Sequence, residues 1–174
     1  MMQRYDLTVG LYDRLYSEEQ EAKFKAALSE VQLNCSDFVL DAGCGTGLLF
    51  EHITDKPDAI VGLDISKKAL LLGKDRAGKF GNVHFVQADV DYLPFKDRCF
   101  SVVFVFTVFQ NLPSPQETLK EIKKTAKTDS LIVVTGLKKV FSATSFQELL
   151  QKSDLRIVAF NDTPTLKCFV AVCF

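Results

Sequence analysis

Phe38-Val39-Leu40-Asp41-Ala42-Gly43-Cys44-Gly45-Thr46-Gly47-Leu48-Leu49 is the stretch from which the rest of the chain can be read. A short apolar run ends in an acid. Three glycines follow at alternate positions, and a second apolar run with helical character begins. The pattern predicts a buried strand, a tight glycine turn and the start of a helix. Glycines there open backbone conformations closed to residues with a Cβ and let a ligand approach the backbone. A helix start would add free N–H groups and a positive dipole end. The stretch therefore reads as a nucleotide-type cofactor site.

Downstream, Ala59-Ile60-Val61-Gly62-Leu63-Asp64 is a second apolar run closed by an acid. Ser66 is placed to cap a helix with Ala69, Leu70, Leu71 and Leu72 on a broad apolar face, closed by Gly78 and Gly81. Residues 83–87 predict a third strand, followed by Ala88-Asp89-Val90-Asp91, and residues 100–106 predict a fourth and most apolar one. Ser114-Pro115-Gln116-Glu117 has the N-cap Ser, first-turn Pro and third-position Glu of a helix start, with Leu119, Ile122 and Ala126 on the inner stripe. Residues 131–135 predict a fifth strand stopped at Gly136. Ser145 and Glu148 have capping-box spacing for a helix through Lys152, and residues 155–160 and 166–174 predict strands six and seven. Upstream of the glycine turn, Ser17 and Gln20 have the same capping spacing, and Phe24, Ala27, Leu28 and Val31 form one helical stripe.

Strands that are apolar throughout and alternate with amphipathic helices predict an α/β fold, a parallel sheet covered on both faces. Only five residues, 161–165, separate strands six and seven. A parallel crossover needs about a dozen, so these two must form an antiparallel hairpin if they are adjacent. The chain has 174 residues, 47% hydrophobic and 25% charged, which suits one soluble globular domain. The net charge of −1 provides no global field for nucleic acid or anionic membrane. No apolar run approaches the roughly 20 residues of a membrane span, and residues 1–13 lack a signal-peptide core; the expected location is the cytoplasm. The five cysteines, Cys35, Cys44, Cys99, Cys168 and Cys173, include no CxxC pair and read mainly as buried free thiols. His52 and His84 stand at no zinc-ligand spacing with them, so no metal is expected. Lys120, Lys123, Lys124 and Lys127 fall in the later half of a predicted helix and read as a solvated face that suits the dipole.

In an open parallel sheet, ligands bind at the carboxyl ends of the strands. Asp41, Asp64 and Asp89 stand at or just after three such ends, with Asp64 21 positions beyond Gly43. A carboxylate at that place accepts hydrogen bonds from two vicinal ribose hydroxyls; Asp64 can also serve as a helix N-cap. Asp89 is placed to accept from the exocyclic amine of an adenine, or simply sits in a turn after a strand. Ile65, Val90, Leu93 and Phe106 are candidate apolar walls. The dinucleotide fingerprint G-x-G-x-x-G brings a helix start against a pyrophosphate. Here the spacing is Gly43-x-Gly45-x-Gly47 with Leu48 next, and Asp41 ahead of the glycines would repel a pyrophosphate and welcome an ammonium. A ligand with an amino group, a ribose and an adenine but no phosphate fits better, and S-adenosylmethionine has those parts.

Val39-Leu40-Asp41-Ala42-Gly43-Cys44-Gly45-Thr46-Gly47 resembles motif I of the class I S-adenosylmethionine-dependent methyltransferases. Asp64, Gln87-Ala88-Asp89 and residues 100–115 resemble the later motifs, in order and at matching spacing. The resemblance covers roughly residues 37–135. It implies a three-layer sandwich around a mostly parallel seven-stranded sheet of order 3-2-1-4-5-7-6 with strand seven antiparallel. It also implies Gly43, Gly45 and Gly47 near the methionyl part, Asp64 on the ribose and Asp89 near the adenine. Cys44, inside the motif, and Thr107, after strand four, complete the residues expected at the cofactor. Tyr12-Asp13 resembles the N-terminal lid of many small members. The chain then divides into lid and helix (1–33), cofactor-binding core (37–135) and C-terminal helix with hairpin (141–174).

The implied reaction is in-line displacement at a sulfonium methyl, in which the protein aligns the acceptor and excludes water. No catalytic residue can be assigned; Thr107, Gln110, Asn111, Tyr5, Tyr12 and Tyr16 are candidates to orient the acceptor. Ser101 stands where the family often has an acid, and Gln110-Asn111 replaces a more usual acidic or histidine-containing dipeptide. No Asn-Pro-Pro-Tyr motif of the adenine and glutamine N-methyltransferases is present. The acceptor stays unnamed: a small molecule is preferred, with RNA and protein open. A homodimer or a small activating subunit are both compatible partners. Two rivals stand beside this reading: a catalytically inactive cofactor-binding module, kept open by Ser101, and an NAD-dependent oxidoreductase, disfavoured by the glycine spacing.

Overall fold

The computed structural model describes the backbone of residues 9–174 and the side chains of residues 18–174. Seven apolar segments form one sheet: β1 (Phe38–Ala42), β2 (Ala59–Asp64), β3 (Val83–Gln87), β4 (Phe100–Val105), β5 (Ala126–Leu137), β6 (Ile157–Asn161) and β7 (Cys168–Cys173). Their order is β3-β2-β1-β4-β5-β7-β6. All pairs from β3 to β5 are parallel, and β7 runs antiparallel to both β5 and β6. The expected order and the terminal hairpin are both present.

The helices are α1 (Val9–Leu28), α2 (Phe50–Ile53), α3 (Lys67–Ala77), α4 (Pro115–Thr125) and α5 (Ala143–Lys152), with a single 3₁₀ turn at Phe109–Asn111. Alternation along β4 feeds two cores. Val103 and Val105 pack with Leu119 and Ile122 of α4 and Phe146 and Leu150 of α5. Val102 and Phe104, with Phe106 just beyond the strand, pack with Phe24 and Ala27 of α1 and with Phe50 and Ile53 of α2. A sheet buried on both faces has no polar face, which is why its central strands read as continuous apolar runs. No helix among the described residues is long and apolar enough to cross a membrane.

Several element ends differ from expectation. α1 spans Val9–Leu28, so Ser17 lies inside the helix and not at its start. After the glycines the chain makes consecutive turns, and only four residues of α2 are regular helix; a macrodipole sums aligned peptides and is slight over one turn. Leu71 and Leu72 of α3 point outward, and its buried side is Ala69, Leu70, Gly73 and Ala77. The Ser114 side chain makes no cap bond. α5 is capped by Ser142 instead of Ser145: Ser142 Oγ accepts from Ser145 N at 3.0 Å while Ser145 Oγ accepts from Ser142 N at 2.9 Å. β5 begins at Ala126, so Lys127 lies on a strand, and it continues through Gly136. A Cβ on Gly136 would stand 2.6 Å from Phe146 Cδ2, so this glycine admits a ring against the strand and does not end it. Of the thiols, Cys168 and Cys173 are buried and Cys35 is exposed.

Candidate functional site

The glycine turn leaves β1 with all three glycines at positive φ, +82° at Gly43, +55° at Gly45 and +71° at Gly47. The N–H groups of Gly43 and Cys44 both donate to Leu63 O, at 2.7 and 2.9 Å, which ties the turn to the end of β2. A Cβ on Gly43 would lie 2.4 Å from Val108 Cγ2, whereas one on Gly45 would meet nothing within 4 Å. The first glycine is thus demanded by packing as well as by φ, and the second leaves open space beside the backbone.

Asp64 holds the turn from the other side. Its Oδ2 accepts from Gly45 N and its Oδ1 from Ser66 N, each at 2.8 Å. Ser66 is the cap of α3, accepting from Ala69 N at 3.2 Å, so Asp64 is released from that role. These two bonds fix the Asp64 carboxylate beside the glycine turn at the end of β2. Arg76 of α3 completes the clamp: its Nη1 donates to Thr46 O and to Thr46 Oγ1, both at 2.9 Å. Local periodicity singles out neither Arg76 nor its partner.

Asp41 is 3% exposed, and its side-chain carboxyl accepts no hydrogen bond among the described residues. Burial pushes its carboxyl up to about 8, and the charge of Asp64 adds to the effect. Burial, with the charges of Asp41 and Asp64, likewise raises the Cys44 thiol well above its ordinary value. The Cys44 Sγ packs toward Gly62, where an added Cβ would lie 2.9 Å from it. It is a neutral packing group and not a nucleophile.

Beside the turn lies a cavity of about 310 Å³, bounded by the ends of β1 and β2 and by the segments after β3 and β4. Of the expected residues, Gly43, Asp64, Ile65, Asp89, Val90, Thr107 and Asn111 line it. Asp91, unforeseen, also lines it and takes the Thr118 hydroxyl as a donor. Asp89 Oδ1 accepts from Asp91 N at 3.1 Å. Three carboxylates and no Lys or Arg stand among these lining residues. Among the described residues no three His, Cys, Asp or Glu side chains gather as metal ligands do. Phe106 and Leu93 are buried in the two cores instead of walling the cavity, Phe106 edge-on to Phe24 at 5.2 Å. Tyr5 and the side chains of Tyr12 and Tyr16 lie outside the described residues.

Thr107 is the hub of the wall after β4. It sits at φ +62°, a left-handed conformation costing a non-glycine residue on the order of 1–3 kcal/mol. Four hydrogen bonds hold it there. Its N–H donates to Thr135 Oγ1 at 2.8 Å, and its Oγ1 accepts from Lys23 Nζ at 3.0 Å. Its carbonyl accepts from Gln110 Nε2 at 2.5 Å and from Asn111 Nδ2 at 3.3 Å. Lys23 was not among the candidates. The available signal was its place one turn before Ala27 and two before Val31, on the buried stripe of α1. Ser101 stands at the opposite end of the sheet, donating to Asp37 Oδ1 at 2.8 Å and accepting from Phe38 N at 3.0 Å. Its difference from the usual acid therefore bears on strand pairing and not on the site.

Residues 40–134, more than half of the chain, match the methyltransferase domain family, and the chain belongs to that family. It is 30% identical over 139 residues to malonyl-[acyl-carrier protein] O-methyltransferase of Marinomonas sp. (strain MWYL1), covering 79% of this chain and 51% of that protein. It is 32% identical over 144 residues to the ubiquinone/menaquinone biosynthesis C-methyltransferase UbiE of Pseudomonas fluorescens (strain Pf0-1), covering 79% and 54%. The match spans about half the length of these two relatives. Among solved structures, a chain in complex with the Haloferax volcanii Trm112 methyltransferase activator superposes with a TM-score of 0.85 at 16% identity, covering 97% of this chain and 96% of that one. At that identity the likeness is one of fold.

Proposed function

We propose that the chain is an S-adenosylmethionine-dependent methyltransferase acting on a small-molecule acceptor. The observation that carries the reading is an acid-lined cavity, without a base among its described lining residues, beside a glycine turn at which the carboxyl of Asp41 is buried with no hydrogen-bond partner among the described residues. That donor and acceptor set fits a ligand with a cationic end and a ribose; a pyrophosphate would meet three carboxylates. When bound, S-adenosylmethionine supplies a methyl group on a sulfonium already activated for displacement.

In this reading Asp41 receives the ammonium, and Asp64, which lines the cavity, accepts from the ribose hydroxyls. Asp89 faces the adenine amine, with Ile65 and Val90 as apolar walls. Gly45, with open space beside its backbone, admits the methionyl part, while Gly43 and Gly47 shape the turn around Val108 and Phe50. Thr107, held rigidly, forms the wall on which the acceptor is oriented and from which water is excluded, so that attack occurs in line. A small-molecule acceptor is supported by relatives named for malonyl-[acyl-carrier protein] and for ubiquinone/menaquinone biosynthesis. A small activating subunit is supported by the likeness to a chain bound to a methyltransferase activator.

Calorimetry with S-adenosylhomocysteine and with NAD tests the cofactor. S-adenosylhomocysteine is expected to bind and NAD not; the reverse result overturns the reading. Asp64→Ala is expected to weaken S-adenosylhomocysteine about ten- to hundredfold, the value of about 1.5–3 kcal/mol for hydrogen bonds to a charged group. Unchanged affinity removes the ribose role. Labelled-methyl transfer into fractionated metabolite, RNA and protein pools then identifies the acceptor class. No label in any pool, with cofactor binding intact, favours the inactive module.

A further inference from the structure

The segment after β3 is anchored at both of its ends. Ala88 N donates to Asp64 O at 3.2 Å, which ties its start to the end of β2. Farther along, the carboxylate of Asp91, a cavity-lining residue, accepts from the Thr118 hydroxyl of α4. Between these anchors stands Asp89, which also lines the cavity. Its Oδ1 accepts from Asp91 N at 3.1 Å, and its carbonyl accepts from Tyr92 N at 3.0 Å. The residue that Thr118 grips is thus the one that braces the Asp89 carboxylate.

Neither partner needs that grip for its own sake. Thr118 is 1% exposed, and a buried hydroxyl is costly unless it is hydrogen-bonded. Its own helix offers an acceptor, since Ser114 O lies 3.4 Å from Thr118 Oγ1. Thr125, equally buried on α4, takes that kind of partner and donates to Ile122 O at 2.8 Å. Asp91 is half-buried at the edge of a cavity, where water can meet a carboxylate. A β-branched threonine is also a poorer helix former than the Leu or Ala that would suit a buried stripe. What the bond does is join two walls. The order β3-β2-β1-β4 sets β3 and β4 three strand spacings apart, about 14 Å. Asp91 belongs to the wall after β3, and Thr118, in the first turn of α4, follows the 111–113 stretch that forms the wall after β4. A hydrogen bond to a charged group is the stronger kind, so this strap holds the two walls in register.

We propose that Thr118 is a positioning residue for purine recognition: by holding Asp91 from across the cavity, it fixes the Asp89 carboxylate where it accepts from the exocyclic amine of the adenine. The inference rests on the methyltransferase reading above, in which Asp89 faces that amine. It adds a residue that lies outside the cavity lining.

The test compares S-adenosylhomocysteine with S-inosylhomocysteine, which carries an oxygen in place of the amine, by calorimetry on the full chain. The parent is expected to bind S-adenosylhomocysteine at least tenfold more tightly, because a carboxylate has no proton to offer that oxygen. Thr118→Val keeps the shape without the hydroxyl and is expected to reduce the preference to threefold or less. Thr118→Ser keeps the hydroxyl and is expected to stay within twofold of the parent. Asp91→Ala retains the backbone N–H that Asp89 accepts but removes the strap, and the same loss is expected of it; it carries the test should the valine variant fail to fold. A packing role alone would weaken both ligands together and leave their ratio unchanged. An undiminished ratio in folded Thr118→Val or Asp91→Ala protein, a serine variant as unselective as the valine one, or a parent that binds both ligands equally each overturns the inference. Failure of the parent to bind S-adenosylhomocysteine sinks the methyltransferase reading, whereas selective binding that survives loss of the strap sinks only the role of Thr118.

Discussion

Asp41 is an acid placed where an acid is costly: buried, without a hydrogen bond among the described residues, and near a second carboxylate. Burial, helped by Asp64, lifts its carboxyl to about 8, against about 3.9 in an unfolded chain. The folded ligand-free protein therefore keeps a proton that the unfolded chain releases, and the sign of the consequence follows. Stability contributed by the neutral group is fully present below the unfolded value and is lost as pH rises through about 8. Urea midpoints of the ligand-free protein should fall over that window, and Asp41→Asn should flatten the fall. Ligand binding runs the other way, because an ammonium needs the carboxylate. S-adenosylhomocysteine affinity should rise between pH 6 and 8, approaching tenfold per pH unit at its steepest, with proton release detectable as a buffer-dependent enthalpy. A pH-independent affinity with no proton release would remove Asp41 from the ammonium role.

At the scale of elements, helix starts separate into those that are bonded and those that only look so. Ser142 and Ser145 exchange side-chain and backbone hydrogen bonds at the start of α5, whereas Ser114 makes no side-chain cap bond at the start of α4. Ser142→Ala should cost about 0.5–2 kcal/mol, and Ser114→Ala should stay within about 0.5 kcal/mol. Chemical denaturation of the two variants against the parent measures the difference, and equal losses would contradict this account of the caps. The short α2 has a similar lesson. Turns occupy the place where a long helix would have carried a dipole, so the charge beside the turn comes from Asp64 and, once its proton is lost, from Asp41.

Across the whole molecule the two ends of the sheet do different work. The carboxyl ends of the parallel strands carry the cavity, while Ser101 and Asp37 tie β4 to the start of β1 at the other end. Ser101→Ala removes the donor to Asp37 and the acceptor for Phe38 N. The expected loss is about 1–3 kcal/mol of stability, with S-adenosylhomocysteine affinity unchanged within twofold. A large change in affinity would show that the two ends are coupled. α1 links the opposite regions of chain: Lys23 binds Thr107, and Glu19 binds Lys167 just before β7. The order of the elements thus brings an N-terminal helix to the wall after β4.

Much of this was legible along the chain. Strands buried on both faces are apolar throughout, so their number and the close spacing of β6 and β7 could be read directly. Acids at strand ends and glycines at alternate positions marked the turn proposed to hold the cofactor, because positive φ and close approach leave few residue types to choose from. The full strand order followed from resemblance to a family and was then found in the sheet. Side-chain pairing was not legible. Lys23 and Thr107 are 84 positions apart, and Arg76 and Thr46 are 30 apart. Phe106, apolar and next to the site, belongs to the core under α1 because the strand's alternation turns it to that face. Periodicity is a property of neighbours in the chain, and it governs elements and their buried faces. The partners of a lysine, an arginine or an amide carbonyl are set by how those faces dock, which is known only once the layers are packed.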